Sequence, residues 1–144
     1  MKKEISNDKR LSYLSCELEA VYHKITLKCG ISDSAMRILY AICMHGDECP
    51  VSEIVRTSGI SKQTINSSLR NLERNGILYL QSAGGKKKTA VLTDKGKSFS
   101  EKSALKVLEI ENEIFNGWTD EERISYIELT ERFIDELQKK VKEF

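Results

Sequence analysis

Proline is almost missing from this chain: Pro50 is the only one in 144 residues, and glycine numbers eight. Collagen-like and proline-rich low-complexity chains are thereby excluded, and 40% apolar with 31% charged residues is the balance of a globular fold. Long hydrophobic runs are missing too. Ile38-Leu39-Tyr40-Ala41-Ile42-Cys43-Met44 falls far short of the roughly 18–20 residues of a spanning helix. Met1-Lys2-Lys3-Glu4 leads into polar residues rather than a signal-peptide core, so the expected location is the cytoplasm. Paired cysteine motifs are absent: Cys16, Cys29, Cys43 and Cys49 are spaced 13, 14 and 6 apart, without a CxxC. Reduced thiols are the expectation. With only His23 and His45, no Gly-rich phosphate loop, no GxSxG and no HExxH, the chain reads as neither an enzyme nor a cofactor carrier.

What is present is a segregation of charge. The net charge is only +1, yet Arg56 to Lys97 holds nine basic residues (Arg56, Lys62, Arg70, Arg74, Lys86, Lys87, Lys88, Lys95, Lys97) against Glu73 and Asp94, or +7. The remainder, 14 basic and 20 acidic, carries −6. A basic block inside an acidic chain points to a polyanion at one face.

The periodicity is helical. Residues 1–8 are polar and read as a frayed lead-in. Leu11, Leu14, Leu18, Val21 and Ile25 then step by 3 and 4, and Cys29-Gly30 stops this first helix. Ser32 caps a second helix with the stripe Met36, Leu39 and Ile42, ending near His45-Gly46 before a turn over Asp47-Glu48-Cys49-Pro50. A short third helix spans about Ser52–Ser58. Ser61 caps a fourth, with Ile65, Leu69 and Leu72 inward and Asn75-Gly76 at its end. Ile77-Leu78-Tyr79-Leu80 and Ala90-Val91-Leu92 flank Gln81 to Lys88 as a hairpin with a long cationic tip. Thr93 caps a fifth helix running toward Phe115. Thr119 with Glu122 forms a capping box for a sixth, carrying Ile124, Ile127, Phe133, Ile134, Leu137 and Val141.

Two helices joined by Thr57-Ser58-Gly59-Ile60-Ser61 and followed by a hairpin make a winged helix-turn-helix: mainly α, with a small two-stranded β wing. With Ile65 at 0° and 100° per residue, Leu69 and Leu72 fall within about 40° of it, while Gln63, Ser67, Arg70 and Arg74 lie within about 40° of the opposite side. Amides pair with adenine and guanidinium with guanine, so that face suits base edges. The candidate DNA-binding residues are Ser61, Lys62, Gln63, Thr64, Asn66, Ser67, Arg70 and Arg74 on the helix, and Lys86, Lys87 and Lys88 on the wing.

Val51-Ser52-Glu53-Ile54, the run from Gly59 through Lys62-Gln63-Thr64-Ile65, Leu72-Glu73-Arg74-Asn75-Gly76-Ile77 and Leu92-Thr93-Asp94-Lys95-Gly96 resemble the MarR family of winged-helix transcription regulators. The resemblance implies one MarR-like domain over 1–144, with a DNA-binding lobe at about 32–98 and dimerisation helices at about 9–29 and 99–143. It also implies a homodimer on a pseudo-palindromic double-stranded operator, acting as a repressor or activator, and a small-molecule effector between the lobes. Trp118, Phe115, Tyr126 and Phe133, on stripes broader than one small wing domain could cover, give the dimer an independent warrant. The chain departs from the family where the wing usually holds an Asp-x-Arg turn, having Ala83-Gly84-Gly85-Lys86-Lys87-Lys88 instead. Lysine lacks the planar fork, which favours salt-sensitive phosphate contact over insertion into the minor groove. Ser67 stands where many relatives carry a larger basic residue.

Two variants of this reading are a thiol-responsive regulator using Cys16 and a metal-responsive one using Cys43, His45 and Cys49. A protein-binding adaptor built on the same helices is the remaining rival.

Overall fold

The computed structural model describes residues 7–144; of the expected frayed lead-in, residues 1–6 lie outside the described range. Asn7 and Asp8 are already helical, so the first helix begins before Lys9. The elements run α1 Asn7–Cys29, α2 Asp33–Met44, β1 Glu48–Pro50, α3 Val51–Ser58, α4 Lys62–Arg74, β2 Leu78–Ser82, β3 Lys88–Leu92, α5 Asp94–Glu101, α6 Ala104–Asn116 and α7 Asp120–Val141. They fall into two packed units, one ending at Lys106 and the other spanning Val107–Phe144.

In the first unit, the spacing that predicts helices also builds the core. Ile38, Leu39 and Ile42 of α2 meet Ile54 of α3 and Ile65 and Leu69 of α4, all essentially without exposure. Each such side chain contributes about 1.5–3 kcal/mol on burial. Leu78, Ala90 and Leu92 close this core from the sheet side. Hydroxyl caps start the helices as expected: Ser32 Oγ accepts from Ala35 N at 3.1 Å, Ser61 Oγ from Thr64 N at 3.2 Å, and Thr93 Oγ1 from Gly96 N at 3.0 Å. Along α1, Leu11, Leu14, Leu18 and Val21 stay about half exposed.

Two expectations change. The sheet has three antiparallel strands in the order β1-β3-β2, because Glu48-Cys49-Pro50, read as a turn, pairs with β3 in the register Glu48↔Val91, Cys49↔Ala90 and Pro50↔Thr89. A three-residue strand is too short to show alternation, and Pro50 is tolerated because β1 is an edge strand. The helix expected from Thr93 to Phe115 is broken at Lys102-Ser103 into α5 and α6. Ser103 Oγ donates to Phe99 O at 2.8 Å, and the Ser103 backbone N–H takes the nearer Ser100 carbonyl. Such local hydroxyl and short-range bonds compete with the α-helical ladder.

In the second unit, α7 opens with the expected box: Thr119 Oγ1 accepts from Glu122 N at 3.1 Å and Glu122 Oε1 from Thr119 N at 3.0 Å. That backbone bond holds the Glu122 carboxyl below its usual range. Phe115, Trp118 and Tyr126 stack edge-on at the corner, with centroids 5.1 and 5.4 Å apart about Trp118. Arg123 pairs with Asp120 and donates to Phe115 O and Trp118 O at 2.6 and 2.9 Å. No residue of α7 is buried, although it carries Ile124, Ile127, Phe133, Ile134, Leu137 and Val141.

Candidate nucleic-acid interface

The site is α4 with the hairpin that follows it. Burial of Ile65, Leu69 and Leu72 turns Gln63, Ser67, Arg70 and Arg74 outward, and all four are exposed. Lys62 is exposed beside Gln63 at the helix start, and Asn66 is half-buried on the flank. Ser61 and Thr64 are committed to the cap: Ser61 Oγ accepts from Thr64 N and donates to Thr64 Oγ1 at 2.9 Å. Their hydroxyls therefore set the start of α4 and leave only the Thr64 O–H as a spare donor. An open recess of about 380 Å³ runs along the helix, lined by Ser67, Ser68, Arg70, Asn71 and Arg74. One edge is tied to α2, where Ser34 Oγ and Ser68 Oγ lie 2.5 Å apart. Asn71 is engaged by its neighbour, since Asn75 Nδ2 donates to both Asn71 O and Asn71 Oδ1.

Both ends of α4 are held from outside the helix. At the far end, Lys95 Nζ donates to Asn75 O at 2.8 Å, and Thr93 Oγ1 donates to Gly76 O at 2.5 Å. At the near end, Arg37 of α2 donates from Nη1 to Ser58 O at 2.6 Å, just before Gly59 takes φ +67° and turns the chain. Sequence reading missed Arg37, because the bond spans 21 residues and has no periodic signal.

The wing is β2 and β3, with Leu80 opposite Ala90 and Ser82 opposite Lys88. Its tip is closed by Ala83 N donating to Lys87 O at 2.9 Å and Lys87 N to Gly84 O at 3.1 Å. Gly84 and Gly85 take φ of +102° and +59°, which only glycine adopts freely. Lys86 and Lys87 occupy the tip and Lys88 opens β3, all exposed.

Folding also sorts the basic block. Arg56 is consumed by Glu53 at 2.7 Å, an ion pair that holds the Glu53 carboxyl below its usual range. Lys95 caps α4, and Lys97 lies 4.0 Å from Asp47. Of the nine cations, the six with neither an ion pair nor a cap bond among the described residues are Lys62, Arg70, Arg74, Lys86, Lys87 and Lys88. All six stand on α4 or the wing.

The thiols offer little chemistry. Burial pushes Cys43 up and Cys49 to about 11, the latter helped by the Glu53 charge, so both stay protonated and poorly nucleophilic near neutrality. Cys16 is exposed on α1. Among the described residues, no three His, Cys, Asp or Glu side chains gather as a metal site, and no helix is long and apolar enough to cross a membrane.

Comparison with known proteins places this geometry. No curated protein sequence matches the chain. Among solved structures, a MarR family regulator from Neisseria meningitidis is 16% identical, with a TM-score of 0.83 over 96% of this chain and 99% of that one. MepR of S. aureus, solved in complex with DNA, is 19% identical, with a TM-score of 0.70 over 93% and 99%. NadR in complex with 4-hydroxyphenylacetate is 18% identical, with a TM-score of 0.70 over 92% and 95%. The family model of the MarR family matches residues 30–88, from the end of α1 to the wing tip. The MarR family model thus matches the winged-helix segment of this chain, and the described chain carries the fold of the MarR regulators it resembles.

Proposed function

We propose that this protein is a homodimeric, sequence-specific DNA-binding repressor of the cytoplasm whose affinity for a pseudo-palindromic operator is modulated by a small molecule. The observation that carries the reading is the coincidence of the six cations of the basic block that make neither an ion pair nor a cap bond among the described residues with the amide and guanidinium face of α4 and with the wing. Gln63, Asn66, Ser67 and Arg70 read base edges in the major groove, where a recognition helix places its N-terminal part. Arg74, Lys62 and the wing lysines hold phosphates, which position the protein without specifying sequence. Ser61 and Thr64 serve by fixing where α4 begins.

A second copy accounts for the apolar faces of α1 and α7, with the DNA-binding lobe at about 32–98 and the dimerisation helices at about 9–29 and 99–143. Exposed apolar stripes on each of these helices mark an interaction site, and a two-fold axis presents two recognition helices to half-sites one turn apart. NadR, of the same fold, is solved with 4-hydroxyphenylacetate, which supports a small-molecule effector.

Salt dependence of binding tests the phosphate part. Each phosphate neutralised contributes about −0.9 to the slope of log affinity against log salt. Replacing Lys86, Lys87 and Lys88 by Ala should flatten that slope by about 2–3 and weaken all duplexes alike. An unchanged slope in a fluorescence-anisotropy titration would remove the wing from the interface.

A further inference from the structure

We infer that Arg37 is a positioning residue of the DNA-binding surface, holding the α3–α4 turn, and with it the start of α4, against α2. The inference rests on reading α4 as the recognition helix. Ser58 is the last residue of α3, and its carbonyl is one of the acceptors a helix leaves unsatisfied at its C-terminal end, where the backbone dipoles favour a cation. Arg37 Nη1 reaches that oxygen at 2.6 Å, the length of a strong charge-assisted bond.

The base of Arg37 is rigid, because the next two residues, Ile38 and Leu39, are completely buried. Its head lies over the turn: a Cβ built on Gly59 would stand 3.9 Å from Nη1. The other bonds of the turn are local. Ser58 Oγ accepts from Ile60 N at 3.2 Å and donates to Val55 O at 3.3 Å. These shape the turn without tying it to α2. Inside, Ile54 and Ile65 hold α3 and α4 to the core on either side of the turn. The turn itself is tied to α2 by the Arg37 bond, whereas the Ser34–Ser68 hydroxyl pair ties α4 to α2 further along the helix.

A bond at an exposed residue adds little to global stability, whereas base contacts need their groups within about 0.5 Å of the productive position. Losing Arg37 should therefore cost recognition more than folding. This differs from a phosphate contact, which would act on every sequence and release a counterion.

The test uses the full-length protein, the duplex that wild type recovers from a randomised pool, and a scrambled duplex of the same length. Arg37→Met keeps the length of the stem and removes the donor; Arg37→Lys restores one donor. Arg37→Met should bind the recovered duplex about five- to tenfold more weakly, a loss of about 1–1.4 kcal/mol. Its affinity for the scrambled duplex and its salt slope should be unchanged, and its unfolding temperature within about 4 °C of wild type. Arg37→Lys should recover most of the loss.

Unchanged affinity of Arg37→Met for the recovered duplex overturns the inference. So does equal weakening on both duplexes with the slope reduced by about 0.9, which would make Arg37 a phosphate ligand, and so does a loss that Lys fails to repair. Arg70→Ala runs in parallel. If it loses the preference for the recovered duplex while Arg37→Met keeps it, only the role of Arg37 fails; if Arg70→Ala keeps it too, the reading of α4 falls and takes this inference with it.

Discussion

Gly96→Ala should lower the unfolding temperature by about 10 °C, a loss of roughly 3 kcal/mol. Gly96 is the third residue of α5, and its amide donates to the Thr93 cap. A methyl group there would fall 1.9 Å from Ile77 O and 3.3 Å from Leu92 Cδ2. Ile77 O is backbone and already accepts from Thr93 N and Thr93 Oγ1, both at 3.1 Å, so it cannot swing aside as a side chain would. The helix must instead draw away from the chain between α4 and β2. Ala is favoured over Gly within a helix by about 1 kcal/mol, and the clash outweighs it. The same withdrawal loosens Lys95 from Asn75 O and Thr93 from Gly76 O, so DNA affinity should fall with stability. A variant melting within about 2 °C of wild type would show that the contact relaxes at little cost.

Replacing Phe133 and Leu137 together by Glu should convert the proposed dimer into a monomer of 16.4 kDa, seen by sedimentation. In the isolated chain these side chains are 53% and 51% exposed, four residues apart on one face of α7. Were the protein a monomer, glutamate there would be a mild surface change of within about 0.5 kcal/mol. Across a two-fold interface the same substitution buries unpaired charge against its own symmetry mate, which association cannot repay. Since two half-sites bound together gain about 10²–10⁴-fold over one, operator affinity should fall by about that factor while the melting curve of the DNA-binding lobe changes little. A wild-type chain sedimenting at 16.4 kDa would leave the apolar faces of α1 and α7 without this partner.

The fold was legible where one residue type carries one local job. The 4 and 3 spacing of Ile65, Leu69 and Leu72 places the core face of α4, and the outward side follows by geometry. Ser32, Ser61, Thr93 and Thr119 start their helices as side-chain chemistry dictates. What escaped was non-local. β1 exists only because Ala90 and its neighbours offer an open edge to Cys49. The break at Lys102 involves the buried Ser103, whose hydroxyl bonds Phe99 O and whose amide takes the Ser100 carbonyl, although serine looks like a surface residue in sequence.

The basic block shows the same limit. Counting charges gave +7, but only folding reveals that Arg56, Lys95 and Lys97 are spent within the protein and that the remainder converge on α4 and the wing. Arg37, outside the block, lies in a stretch whose periodicity says only that it is exposed, and the acceptor it meets is a backbone carbonyl 21 residues away.

The most direct measurement is binding-site selection from a randomised duplex pool with wild type, Gln63→Ala, Arg70→Ala and Arg74→Ala. Gln63 and Arg70 face outward from the first and third turns of α4, and a bidentate contact discriminates by about 1–3 kcal/mol per base. Their variants should recover motifs with contrast lost at particular positions of each half-site, while melting and dimerisation stay as in wild type. Arg74→Ala should recover the wild-type motif at lower affinity. If the Gln63 and Arg70 variants return the wild-type motif at full contrast, the outward face of α4 is not what distinguishes one DNA sequence from another.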